Sequence, residues 1–439
     1  MSLADDLTKA ASPTSTDLGE VGSTGLVQYG GEVREDFLRQ LQGKRGYATY
    51  REMADNHAVI GAILYSIEML VRGVEWTVTP ADPNDQRAVD EAEFVSSCMT
   101  DMTHSWPDTL SSILSMLTFG YSYNEVVYKR RLGPDREKSS ERSDHDDGRI
   151  GWRKWPIRDQ STITRWKFDE RGGIEGAYQM DTNQAFGEVF LPIERCLLFR
   201  TTTKRNNPQG RSVLRNAFVP WYFQKRIAEI EAIGIERDLA GMPVALVPPH
   251  LLSDNATAQE TSALTEIKRI VRNIRRDEQE GIVFPLAYDP DTKQLAYDLK
   301  LLSTGGRRQF DTNAIITRYD ARIAMSVLAD FILLGHDKVG TQALSVSKIQ
   351  LFADALETWV SGIADVINTH AVPRLMRLNG VETSLYPKLD YSTPRQVDII
   401  AIADYVSKLA AVGAIMPDEN LGEHLRDIAG LPQEEAEAI

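Results

Sequence analysis

The chain has 439 residues, with 49 Lys and Arg against 63 Asp and Glu, a formal charge of −14 with His neutral. At 42% hydrophobic and 26% charged residues its composition is that of an ordinary globular protein, with enough length for about three domains. Two cysteines, Cys98 and Cys196, cannot make a disulfide framework. No run of about 18 apolar residues offers a transmembrane helix, and no signal-peptide pattern opens the chain, so an intracellular soluble protein is expected.

Residues 1–30 are rich in Ser, Thr and Gly and read as a flexible arm. Helical periodicity becomes firm from Tyr50 to Arg72, and Gly73 stops it before a strand at 74–78. Further helices are predicted at 85–102 and from Pro107 to Gly120, followed by a strand over 121–128. The segment from Arg136 to Asp147 is almost wholly charged or Ser and reads as a solvated, mobile insertion. Asp144, His145, Asp146 and Asp147 are a conceivable ligand run, but an acidic loop tip is the plainer reading. Strands are expected at 163–168, 174–180, 189–191 and 196–200.

A helical tract then runs from Gly210 to Gly241, with Ser212 as N-cap and Pro220 expected to kink it. A β–α–β pattern follows: a strand at 244–247, a helix at 259–276, a strand at 282–286, a turn at 288–291 and a strand at 294–302. Another helix is read over 309–331, a Gly-containing loop over 334–345, and a long helix over 345–378 interrupted near Pro373. The last 50 or so residues read as small helices.

Strong catalytic motifs are missing. There is no GxxxxGK[ST] loop, HExxH, CxxC or GxSxG, and the seven His residues have no spaced partners. No cofactor or metal is expected, and enzymatic action is unsupported. Both cysteines lie in apolar stretches and read as buried thiols.

Three constellations remain. Lys268, Arg269, Arg272, Arg275 and Arg276 crowd one predicted helix, a stripe suited to phosphate or an acidic surface, or simply to solvent. The loop 334–345 places Asp337, Lys338, Thr341 and Gln342 between two helices, where a lysine can touch a phosphate backbone without reading bases. From 380 to 439 there are 11 acidic and 4 basic residues, a solvated acidic surface that would line an opening if copies formed a ring.

The order of these parts resembles the portal proteins of tailed bacteriophages, nearest those of Mu-like and related siphophages, from about residue 45 onward. The most specific local likeness is Gly210-Arg211-Ser212-Val213-Leu214-Arg215 followed by Pro220-Trp221-Tyr222-Phe223-Gln224-Lys225, similar to the start of the descending stem helix. Tyr50 and Met53 with His57-Ala58-Val59-Ile60-Gly61 and Gly73-Val74-Glu75-Trp76 are similar to the opening of the wing, and 328–335 to the approach to the tunnel loop. The charged insertion and the long N-terminal arm have no match in that pattern.

The resemblance implies an α+β portal fold. Its parts would be a flexible arm (1–30), wing (31–209), descending stem helix (210–241), clip (242–305), ascending stem helix (306–331), tunnel loop (332–345), long wing helix (346–379) and helical crown (380–439). It further implies a ring of about twelve copies at one capsid vertex of the virion, assembled in the host bacterial cytoplasm. Double-stranded DNA would pass through it without sequence readout. Terminase large subunit, head–tail adaptor, major capsid and scaffolding proteins would be partners; a membrane would not. The mixed charges Arg226, Glu229, Arg237, Arg318, Asp320 and Arg322 would then pair between subunits, or along their own helices. Two competing readings are a head–tail adaptor or minor capsid protein without a DNA channel, and a metal-dependent nuclease, which would need acidic residues to converge.

Overall fold

The computed structural model describes residues 22–138, 141–180, 187–240, 242–253, 256–273, 298–302, 311–327 and 342–392. The chain falls into two units, Met1–Arg215 with Val327–Ile439, and Asn216–Ser326.

In the first unit the single helix read over 50–72 is two, α1 (Gly43–Asn56) and α2 (Ala58–Arg72). His57 divides them, because its backbone is extended and its Nδ1 accepts the Ile60 amide at 3.4 Å, capping α2. Helix α3 (Gln86–Thr100) is capped by Asp85 and α4 (Trp106–Phe119) by Ser105, both close to the expected limits. The faces that carry Ile60, Ile63, Ile67 and Val71 on α2, and Leu110, Ile113 and Leu117 on α4, are buried. Each such side chain contributes about 1.5–3 kcal/mol on leaving water.

The strand expected over 121–128 is also two. Strand β4 (Tyr121–Glu125) pairs antiparallel with β10 (Cys196–Arg200), whereas β5 (Val127–Arg130) pairs with β6 (Ile150–Lys154), which the sequence reading lacked. Between them the Val126 amide donates to the Arg195 carbonyl at 2.8 Å, so the chain changes partner there. Strands β7 (Ile163–Phe168), β8 (Ile174–Met180) and β9 (Glu188–Pro192) form an antiparallel meander, as expected. Residues 28–33, partly assigned to a flexible arm, form a small hairpin of β1 (Gln28–Tyr29) and β2 (Glu32–Val33). The Trp166 amide holds it through the Gly31 carbonyl at 2.9 Å.

Aromatic edges meet faces through the centre of this unit: Trp76 on Trp106, Trp106 on Trp155, and Trp155 on Trp152, with centroids 4.9–5.8 Å apart. A second cluster joins Tyr47, Tyr121, Tyr123 and Trp166. The long C-terminal helix is present as α8 (Gln342–Val366), a π turn (Ile367–Ala371) and α9 (Val372–Leu378). The π turn is the expected interruption: Pro373 lacks an amide and crowds the preceding turn, which widens. The loop read to 345 therefore ends before Gln342. The block 380–439, read as helical, begins with one 3-10 turn (Thr383–Leu385) and then forms a strand, β13 (Lys388–Tyr391), paired antiparallel with β3 (Trp76–Thr79). Four residues next to an open strand edge gain more from its ladder than from an isolated turn of helix.

The charged insertion is not wholly a solvated tip. The Ser143 hydroxyl donates to Asp101 Oδ2 at 2.6 Å, the Asp144 amide to Asp101 Oδ1 at 3.0 Å, and Lys129 Nζ to the Arg142 carbonyl at 2.8 Å. Asp147 pairs with buried Arg131 at 3.1 Å.

The second unit contains α5 (Phe218–Ala240), β11 (Met242–Leu246), α6 (Ala258–Asn273), β12 (Asp298–Leu302) and α7 (Thr312–Ser326). Strands β11 and β12 pair antiparallel, with Met242 opposite Leu302. The strand read at 282–286 and the turn at 288–291 lie outside the described residues. Pro220 does not kink α5, because the helix starts at Phe218 and places it in the first turn, where the missing amide would have had no partner. Pro220→Ala is accordingly expected to change stability, read from the urea midpoint, by less than about 1 kcal/mol; a gain of about 3 kcal/mol would mark an interior position that the proline disrupts.

Candidate functional site

The stretch leading to α5 is built by a close backbone crossing inside the first unit. Gly120 ends α4 with φ 96° and Gly210 has φ 55°. A Cβ on Gly120 would stand 2.3 Å from the Gln209 carbonyl oxygen, and one on Gly210 would stand 2.2 Å from the Gly120 oxygen. Only glycine permits that approach. The Ser212 hydroxyl donates to the Thr118 carbonyl at 2.5 Å and accepts the Leu214 amide at 3.1 Å. Ser212 thus caps a short 3-10 turn, Val213–Arg215, rather than the long helix itself. Leu214 is buried, and Arg215 is bound in bidentate fashion by Asp36. A cavity of about 340 Å³ opens beside this pair, lined by Tyr47, Tyr50, Lys204 and Arg211 among others. Burial, then the Asp36 charge, push the Tyr50 hydroxyl far up, so it stays a neutral donor.

In the second unit α5 and α7 run antiparallel, fixed at two levels. Gln224 donates to Asp320 Oδ1 at 2.8 Å, and the Thr312 hydroxyl to Glu231 Oε1 at 2.5 Å. Asp320 is thereby engaged within its own chain. Arg226 is exposed and donates to the Tyr222 hydroxyl at 3.0 Å. Glu229 is exposed, as are Arg318 and Arg322, which flank the Tyr319 ring at 5.6 and 6.0 Å. Arg237 lies on α5, but its side chain is outside the described residues.

Helix α6 starts in a capping box: the Thr257 amide donates to Glu260 Oε2 at 2.7 Å, and the Glu260 amide meets Thr257 Oγ1 at 3.4 Å. The Thr257-x-x-Glu260 signal was in the sequence and went unread. Of the basic stripe, Lys268 is exposed, while Arg269 is taken by Glu266 one turn back, Nε to Oε2 at 2.9 Å. That leaves the stripe less basic than its sequence reading. The Arg272 side chain, with Arg275 and Arg276, lies outside the described residues. So do Asp337, Lys338 and Thr341 of the loop, and the side chain of Gln342.

Chemistry at these places is that of surfaces. Among the described residues no three of His, Cys, Asp and Glu stand together to hold a metal ion, the convergence a metal-dependent nuclease needs. Burial pushes the Cys98 and Cys196 thiols up to about 11, which makes both poor nucleophiles. Among the described residues Asp101, Lys129 and Ser143 form a buried cluster around one ion pair, remote in sequence and invisible to motif reading.

Comparison with known proteins adds the following. A family model described as the portal protein of Mu bacteriophage matches residues 47–427, across both units. No curated protein matches the chain. Among solved structures, the neck of an empty gene transfer agent (GTA) particle computed with C6 symmetry aligns with TM-score 0.50 and 10% identity, covering 88% of this chain and 94% of that one. The neck of a native GTA particle computed with C12 symmetry aligns with TM-score 0.49 and 11% identity over 89% and 95%. An HK97 family phage portal protein from Corynebacterium diphtheriae gives 0.39 and 12% over 84% and 97%.

Proposed function

The chain belongs to the family of Mu bacteriophage portal proteins, and from that premise we propose that about twelve copies close into a ring at one capsid vertex and conduct double-stranded DNA during packaging and ejection. The match that carries this reading extends over 47–427, through both units rather than one borrowed module. The α+β portal fold is shared with the GTA neck chain at TM-score 0.50. On this reading α5 and α7 are the stem, β11, α6 and β12 belong to the clip, and the tunnel loop begins at 332 and runs up to the start of α8 at Gln342. Asp337, Lys338, Thr341 and Gln342 would face DNA. Lys268, Arg269, Arg272, Arg275 and Arg276 would face DNA or the packaging motor. Terminase large subunit, head–tail adaptor, major capsid and scaffolding proteins would dock around the ring, in the virion and during its assembly in the host cytoplasm.

The family is one of structural proteins, and the physics suits a conduit. Twelve copies would carry a formal charge of about −168. Such a wall holds the polymer off except at a few cations, since each phosphate neutralised adds salt-dependent affinity. Backbone-only contact predicts weak, sequence-indifferent binding.

Solution mass with negative-stain microscopy tests the ring. Twelve copies of the 49.2 kDa chain give about 590 kDa, with a central hole of roughly 20 Å or more, enough for a duplex. A protein that stays at 49.2 kDa with scaffold present would remove the reading. Arg318→Glu with Arg322→Glu should lower the ring yield; undiminished assembly would take those two charges out of the interface.

A further inference from the structure

Helix α2 is apolar on both of its sides. Ile60, Ile63, Ile67 and Val71 point into the core and are at most 1% exposed. At about 100° per residue, Ala58, Ala62, Tyr65 and Met69 fall within about 60° of one another on the opposite side. All four are exposed, Tyr65 at 64% and Met69 at 54%. The charges of the helix, Glu68 and Arg72, pair with each other at 3.5 Å near its end and leave this second stripe neutral. A helix that is apolar all round is one that a second body covers.

We propose that the covering body is the chain's own segment 397–412, lying antiparallel along α2. That segment is outside the described residues, and its sequence reads as a helix between Pro394 and Gly413. Ile399, Ile402, Val406 and Leu409 recur on one side of such a helix, with Asp404 and Lys408 on the other. The path of the described chain selects this occupant. Strand β13 runs from Lys388, opposite Thr79, to Tyr391, opposite Trp76, so it heads for the C-terminal end of α2. Ser392 is fixed there: its amide donates to the Glu75 carbonyl at 2.8 Å and its hydroxyl accepts the Glu75 amide at 3.0 Å. Glu75 closely follows Gly73, the cap of α2. The step from Ser392 to Val397 spans at most about 17 Å, enough to reach the neighbouring helix face. The lengths match, about 22 Å for α2 and about 24 Å for the segment. The spacings match as well: run antiparallel, Leu409 falls on Ala58, Val406 on Ala62, Ile402 on Tyr65 and Ile399 on Met69. Both faces are uncharged, so apolar burial drives the contact, and the short tether gives it an effective concentration in the millimolar range.

The test uses the full chain and does not depend on ring formation. Ala62→Cys with Val406→Cys, treated with a short bismaleimide, should give tryptic peptides joined through residues 62 and 406, from a product that stays at 49.2 kDa on a denaturing gel. The native cysteines are buried and do not compete. Independently, Tyr65→Ser with Met69→Ser should speed trypsin cleavage after Lys408 roughly tenfold, because cleavage follows the population of the undocked segment. Cleavage after Lys138, exposed in the charged insertion, should keep its rate and so report that the first unit is still folded. A link found only between chains, at twice the 49.2 kDa of one chain, would mean that another copy's segment covers α2 and would overturn the proposal. The absence of any link overturns it too, as does equal cleavage after Lys408 in the serine variant and wild type. None of these outcomes bears on the ring.

Discussion

Asp101→Asn is expected to destabilise the first unit by about 3–5 kcal/mol at neutral pH, the cost of leaving a buried charge without its partner. Lys129 Nζ lies 3.0 Å from Asp101 Oδ1, and both side chains are 4% exposed. The ammonium also donates to the Asp101 and Arg142 carbonyls at 2.6 and 2.8 Å. Burial by itself would raise the Asp101 carboxyl; the Ser143 hydroxyl, the Asp144 amide and Lys129 together hold it below the ordinary carboxylate value. A carboxyl depressed in the folded state contributes its full stability above the unfolded value of about 4 and loses it as pH falls through the folded one. The gap between wild type and Asp101→Asn should thus be constant from neutral pH to about 5 and shrink below about 4. Urea midpoints at a series of pH values measure this. A gap under about 1 kcal/mol at neutral pH, or one that widens with acid, would contradict the role given to the cluster. Trypsin should also reach Arg136, Lys138 and Arg142 faster in the variant, because Asp101 anchors the insertion's return.

Gly120→Val is the second large effect, about 3–6 kcal/mol, combining a left-handed backbone that a β-branched residue resists with a clash that no rotamer relieves. The obstacle is backbone: the Gln209 oxygen at 2.3 Å and the Arg211 amide nitrogen at 2.9 Å from the new Cβ. Gly148 is the matched control, with φ 68° and nothing within 4 Å. Gly148→Ala should cost only about 1–2 kcal/mol, from the backbone conformation alone. Equal losses at the two sites, read by urea denaturation, would show that the crossing of 120 and 210 tolerates a side chain. Because the crossing precedes the 3-10 turn and α5, Gly120→Val should reduce ring yield as well as stability.

Much of the secondary structure could be read directly from residues whose preferences are local. Asp85 and Ser105 cap α3 and α4 and Gly120 closes α4, and the Gly172-Gly173 turn separates β7 from β8. The failures share a cause. His57 splits a helix that periodicity alone would continue, since an imidazole accepting an amide looks like any other side chain in sequence. Strands β6 and β13 are short and depend on partners, 150–154 on 127–130 and 388–391 on 76–79.

The functional surfaces divide the same way. Family membership and the absence of catalytic motifs followed from the sequence, because both are properties of residue order. Which charges are free was decided only by packing: Asp320 is spent on Gln224, Arg269 on Glu266 and Arg215 on Asp36, whereas Arg318 and Arg322 face outward. Helix α5 was legible as a helical tract, but a helical pattern does not say which of its apolar positions meet the protein's own core. The antiparallel placement of α7, fixed by two hydrogen bonds, separates the covered face from the bare one. Sequence determined the chain's elements and kinship because these rest on local sterics and hydropathy; tertiary structure decided the available surface, because exposure depends on contacts between residues distant along the chain.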